Sequence, residues 1–179
     1  MKKWIKILIG IIATPVLLFG VLLFIYILMN RQGVIEPYQV GNPNAENKIL
    51  IASQGSDFKN SLVNILIKEF KEDNNYLSVI DCTELEKENH EYWDAVIIIH
   101  TMQIHKMPKE AKVFLAEEND LSRIMLVSTS GGGDDIVTDF DVDAISTPSR
   151  SSVTPQIIEW VKEKMENKLN RENLLSTYN

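Results

Sequence analysis

The chain has 179 residues, 45% of them hydrophobic and 24% charged, a balance that excludes wholesale disorder and allows one domain with a buried core. Its formal net charge of -7 excludes a nucleic-acid surface, which needs clustered Lys and Arg, and the acidity is spread along the chain in a way that favours solubility. A lone cysteine, Cys82, excludes an intrachain disulfide and reads as a small apolar side chain at a strand end.

Ile7 to Met29 is an uncharged run, ILIGIIATPVLLFGVLLFIYILM. It exceeds the roughly 20 residues that cross a bilayer core, so residues 1–31 are expected to be a short stub and one transmembrane helix. No A-x-A cleavage pattern follows it, which favours an uncleaved anchor. Pro15 is tolerable within such a helix, and Trp4 and Tyr26 lie near the ends, where amphipathic rings prefer the interface. Lys2, Lys3 and Lys6 precede the run and Arg31 alone follows it closely. The positive-inside rule then puts the N-terminus in the cytoplasm and the main domain outside, a single-pass protein of the cell membrane whose expected partner is the lipid bilayer.

Residues 32–47 carry Gly33, Pro37, Gly41 and Pro43 without helical or alternating period and read as a linker. From Lys48 to about residue 170, apolar runs alternate with helix-patterned segments. The first strand, Ile49 to Ala52, runs through a small polar loop into a helix whose apolar stripe is Leu62, Val63, Ile65, Leu66, Ile67 and Phe70, with Lys59 on the solvent side and Ser56 and Asp57 placed to cap it. Tyr76 to Ile80 is a second strand, followed by a charged segment with room for at most a short surface helix. Asp94 to Ile99, DAVIII, is a central strand, and Pro108 opens a helix reaching about Asn119. Ile124 to Val127 is the fourth strand and Val142 to Ile145 the fifth. The Gly- and Asp-rich connection between them cannot hold a full helix. Thr154 caps a last helix through about Leu169, and 171–179 is a polar tail. Trp93 and Trp160 fall in apolar patterns and read as core. Strands alternating with helices give an α/β three-layer sandwich with a five-stranded parallel sheet in the order 2-1-3-4-5.

In that order three polar loops, Ser53 to Lys59, His100 to Met107 and Ser128 to Asp135, meet at the carboxyl edge of the sheet. SQGSDFKN, WDAVIIIHTMQIHKMPKEAKVFL and RIMLVSTSGGGD resemble the three cofactor-loop regions of the flavodoxin and flavin-reductase superfamily. VDAISTPSRSS is similar to a motif of small membrane-anchored flavodoxin-like bacterial proteins. The resemblance implies flavin mononucleotide as cofactor, with Ser53, Gln54, Gly55 and Ser56 at its phosphate and Thr101, Met102, Ser130, Gly131 and Gly132 nearer its ring.

The first loop departs from the T/S-x-T-G-x-T phosphate cradle by placing Asp57 and Phe58 where small hydroxyl residues belong, and a carboxylate beside a dianion is unfavourable unless it points away. The second has no aromatic to stack on a flavin. The three glycines of the third are explained by a turn alone. Two readings stay open: a non-catalytic binding or interaction module with a degenerate phosphate loop, and a flavin mononucleotide-binding redox protein.

No catalytic residue stands out, since no G-x-S-x-G elbow is present. His100 and His105 with Asp134 or Asp135 lack the spacing of a metal motif, so no metal is expected. Arg150 among hydroxyl residues suits either an anion or a carboxylate such as Asp143.

Overall fold

Of the 179 residues, the computed structural model describes 3–29, 33–71, 74–135, 137 and 139–177, with backbone alone at 3, 5–10, 27–29, 90 and 170–177. They divide into two units, Met1–Gln32 and Gly33–Asn179. The first contains one helix, α1 (Lys3–Met29), of 27 residues with Pro15 inside it. Its described side chains from Ile11 to Tyr26 are all exposed. Among the described residues no helix is long and apolar enough to cross a membrane. The side chains of 7–10 and 27–29, part of the expected span, lie outside the described residues.

The second unit is an α/β sandwich. Its sheet has six strands: β1 (Tyr38–Val40), β2 (Asn47–Ser53), β3 (Asn75–Asp81), β4 (Ala95–Thr101), β5 (Ile124–Ser130) and β6 (Asp143–Pro148), in the order β1-β3-β2-β4-β5-β6. β3, β2, β4, β5 and β6 are parallel and follow the expected order. The expected count of five is corrected by β1, which adds antiparallel to the outer edge of β3 with Tyr38 opposite Val79. That strand comes from the segment read as a linker. From Gly33 onward the segment belongs to the domain, with Ile35 and Ala45 buried. It follows the sheet closely: Gly41 turns at φ +95°, where a Cβ would lie 2.2 Å from the Asn75 carbonyl oxygen.

Alternation along each strand divides the core between two faces. Ile49, Ile51, Leu77, Val79, Ile97, Ile99, Met125 and Val127 pack under α2 (Asp57–Phe70) and α4 (Thr154–Thr177). Leu50, Ala52, Val96, Ile98, Ile124 and Leu126 pack under α3 (Lys109–Glu117) and the short 3-10 turns that join β3 to β4, where Leu85 and Cys82 are buried. Trp93 is core as expected. Its ring stacks on Tyr76 with centroids 6.1 Å apart, and its Nε1 donates to Glu88 at 3.1 Å.

Between β5 and β6 the described residues form no helix, and Val137, Phe140 and Val142 pack on that face instead. Several boundaries differ from expectation: β4, β5 and β6 run on to Thr101, Ser130 and Pro148, so the first residues of the expected second and third loops are strand. Pro108 is the N-cap of α3 and lies one residue before its first turn, α3 ends at Glu117, and α4 runs to Thr177 through most of the expected tail.

Candidate functional site

β2, β4 and β5 end together, so the loops after them share one edge. The loop after β2 is tightly held. Ser53 is buried and its Oγ donates to the Gln54 carbonyl at 3.1 Å. The Gln54 N–H donates to the Ile99 carbonyl at 3.1 Å, and its side-chain oxygen accepts from the Thr101 N–H at 2.8 Å. Ser56 is the N-cap of α2, accepting from the Lys59 N–H at 3.3 Å. Asp57 is exposed and Phe58 packs on the core.

The central donor of this loop is already used. Gly55 and Gly33 exchange two backbone hydrogen bonds of 2.8 Å, Gly55 N–H to the Gly33 carbonyl and Gly33 N–H to the Gly55 carbonyl. A Cβ on Gly55 would lie 2.6 Å from the Gly33 carbonyl carbon and 2.8 Å from Val34 backbone atoms. Ile35 then donates its N–H to Asp81 at 3.0 Å, at the end of β3. Residues 33–35 therefore lie across the loop where a phosphate would be received.

The helix that follows this loop carries a buried cation. Lys59, expected on the solvent side of its helix, is 2% exposed, and its Nζ donates to Thr101 Oγ1 at 2.7 Å. Thr101 Oγ1 is 3.1 Å from Thr129 Oγ1, which itself donates to the His100 carbonyl at 3.2 Å. A hydroxyl has one proton, so Thr101 is the donor between the two threonines. Burial pulls Lys59 down to about 8, against a smaller opposing effect of Cys82.

Thr101, Thr129 and Thr147 are in register across β4, β5 and β6, and so are His100, Ser128 and Ser146 beside them. Alternation puts these two polar rows on opposite faces of the sheet end. His100 Nε2 meets Ser128 Oγ at 3.0 Å in the interior. Burial lowers His100 to about 4, the Thr101 backbone opposes this, and the charge of Lys59 adds to it.

The second loop makes a tight turn, Gln103 to Lys106, closed by two backbone bonds of 2.8 and 3.0 Å. Its tip residues Ile104 and His105 both have positive φ, 51° and 58°. His105 pairs with Asp135 on the third loop, so the two histidines are apart, and the described residues contain no group of three or more ligands that could hold a metal. In the third loop Gly133 has φ +81°, donates to Ser130 Oγ at 2.8 Å and lies against Pro148, where a Cβ would be 2.3 Å from the ring. Gly131 faces open space.

Of the residues singled out in the sequence, Gln54 and Thr101 are brought together, and both line a cleft of ≈ 320 Å³ with Gln103, Lys106 and Met107. Met102 lines a neighbouring cleft of ≈ 530 Å³ with Met107, Lys112 and Val137. Asp143 pairs with Lys164 and Lys168, which removes it as the expected partner of the exposed Arg150. The residues missed were Lys59 and Gly33. Lys59 carried a signal, since it precedes Leu62, Val63 and Leu66 by three, four and seven residues and so lies on the apolar stripe.

The geometry defines a class: a flavodoxin-like α/β domain with a sixth, antiparallel edge strand and a phosphate loop engaged by its own chain. No family model matches the sequence, and no curated protein does. Among solved structures, the chain superposes on a Klebsiella pneumoniae protein assigned as a quinone reductase with a TM-score of 0.48 and 12% identity, over 68% of this chain and 84% of that one. It superposes on a Synechocystis flavodiiron core with a TM-score of 0.47 and 12% identity, over 71% of this chain and 37% of that one. At such scores neither carries an argument, and the fold class rests on strand order.

Proposed function

We propose that this is a non-catalytic binding or interaction module, held at a lipid bilayer by its N-terminal helix. The observation that carries the first half is the pair of 2.8 Å bonds between Gly33 and Gly55. A mononucleotide phosphate needs the N–H groups of this loop, and the residues present do not fit one: Gly55 N–H is taken, Ser56 caps α2, and the Ser53 hydroxyl is bonded inward. Asp81 adds a carboxylate beside the strap, unfavourable to a dianion.

Flavin redox chemistry is the second reading. It draws on the strand order and on the cleft beside Met102, and it requires the phosphate to displace the strap. Adding flavin mononucleotide to the purified chain and following visible absorption and flavin fluorescence decides between them. The expected outcome is a colourless protein with no binding at high micromolar flavin, and a yellow protein or saturable quenching sinks the module reading.

The bilayer half draws on the uncharged run from Ile7 to Met29 and on Lys2, Lys3 and Lys6 before it. With the N-terminus cytoplasmic and the domain outside, protease added to intact cells removes the domain. Protection of the domain until the envelope is opened reverses the orientation.

A further inference from the structure

We infer that the carboxyl edge of the sheet is a second lipid contact, where Ile104 and Val34 enter the headgroup–acyl boundary of the bilayer that holds α1 and Lys106 and Lys109 meet its anionic headgroups. The inference rests on the reading that α1 is a membrane span.

Among the described residues of the Gly33–Asn179 unit, Ile104 and Val34 are the two most exposed large apolar side chains, at 89% and 75%. A single exposed isoleucine or valine is ordinary. This pair stands on one edge. Val34 lies between Gly33, bonded to Gly55 past the end of β2, and Ile35, whose N–H is bonded to Asp81 at the end of β3. Ile104 is at the tip of the turn past the end of β4, and these three strands are parallel neighbours. The Gln54–Thr101 bond of 2.8 Å ties the loop after β2 to the last residue of β4.

Ile104 is also held at a conformational cost. Its φ of 51° lies in the left-handed region, which a β-branched side chain resists and Gly or Asn takes readily. The turn is closed by backbone bonds between Gln103 and Lys106, in which the Ile104 side chain has no part. The turn by itself would favour another residue, whereas insertion into a lipid interface favours an apolar one.

The chain brings this edge to the bilayer. Residues 30–32 alone separate α1 from Gly33, and fully extended they carry the chain about 14 Å from Met29 at most. The stretch around Ile104, QIHKMPK, includes Lys106 and Lys109, both exposed, and no carboxylate. An apolar tip flanked by lysines matches acyl chains beneath anionic headgroups. The exposed carboxylates Asp57 and Asp134 lie on the neighbouring loops, which confines the contact to the tips.

The test uses the full-length chain in lipid nanodiscs. Cys82 is buried, so Gln103→Cys gives one reactive thiol beside Ile104, and Asn119→Cys gives one between α3 and β5, at the other end of the strands. Each is labelled with a fluorophore, and quenching by lipids carrying a headgroup nitroxide reads its proximity to the bilayer. In discs containing phosphatidylglycerol, the label at 103 is expected to be quenched about fivefold more strongly than the label at 119. Ile104→Asn with Val34→Ser should lower the docked-to-free ratio about tenfold. Lys106→Gln with Lys109→Gln, or discs of phosphatidylcholine alone, should lower it about fivefold.

Equal quenching at the two positions overturns the inference, and so does quenching at 103 that Ile104→Asn with Val34→Ser leaves unchanged. Contact between labels at 103 in discs that hold two copies, without lipid quenching, assigns the tips to a second copy and overturns it too. A chain that does not enter the discs sinks the span reading, and the inference with it. Should the labelled chains fail to fold, the unlabelled parent decides. Its peptide covering 102–107 must exchange amides more slowly in discs with phosphatidylglycerol than in discs of phosphatidylcholine, and equal exchange overturns the inference.

Discussion

His100 should make this protein acid-sensitive well above the carboxylate range. It is 0% exposed, and burial, opposed by the Thr101 backbone and assisted by Lys59, lowers it from 6.5 to about 4. The unfolded chain keeps the ordinary value, so between these limits the unfolded state holds the extra proton. A depressed folded value means the stabilisation is complete above 6.5 and is lost as pH falls toward 4. From about pH 8 to about pH 5 the loss works out at about 2 kcal/mol, and by the lower limit at about 3 kcal/mol. Urea unfolding followed by tryptophan fluorescence across that range measures it. His100→Gln keeps a polar group for Ser128 but has nothing to titrate, so its stability should be nearly flat over the same interval. Equal pH slopes in parent and variant would refute the reasoning, because both retain His90 and His105.

Ile104, 89% exposed with φ 51°, loses no packing when replaced, so Ile104→Asn should stabilise the domain by about 1 kcal/mol and raise Tm by several degrees in calorimetry. Lys168 is buried, donating to the Ser122 carbonyl at 2.5 Å and to Asp143 at 2.7 Å. Lys168→Met strands the carbonyl but leaves Asp143 its Lys164 bond at 3.1 Å, for an expected loss of about 2 kcal/mol in urea unfolding at neutral pH. Burial alone would raise Asp143, and the Lys168 and Lys164 bonds outweigh it and hold the carboxyl below its usual value. That contribution is present above the ordinary carboxylate range and lost as pH falls through the folded value, so the gap between parent and variant should narrow in strong acid to the part that the stranded Ser122 carbonyl costs.

DAVIII was legible as a strand because a short β-branched run bounded by polar residues has few other ways to be buried, the parallel sheet followed from the alternation of elements, and the strand order came from the fit to the flavodoxin-like pattern. Lys59 shows where residue type misleads. Its spacing placed it on the buried stripe while its charge argued for water, and the Thr101 hydroxyl on β4, itself bonded to Thr129 on β5, lets position win. β1 gave no signal, since three edge residues between Pro37 and Gly41 have too little pattern to separate from a linker. The Gly33–Gly55 bridge and the in-register pairing of His100 with Ser128 join residues far apart in sequence, and register between strands is set by tertiary packing.

The antiparallel placement of β1 also bears on how this protein avoids its own kind. β3 is buried along all seven residues, Asn75–Asp81, and among the described residues its outer edge pairs with Tyr38, Gln39 and Val40. A shortened chain beginning at Lys48, the natural cut if residues 32–47 were a mere tether, would present YLSVI as an open template for another copy. Those three residues cover that edge, so a shortened chain that keeps it covered has to include Tyr38–Val40.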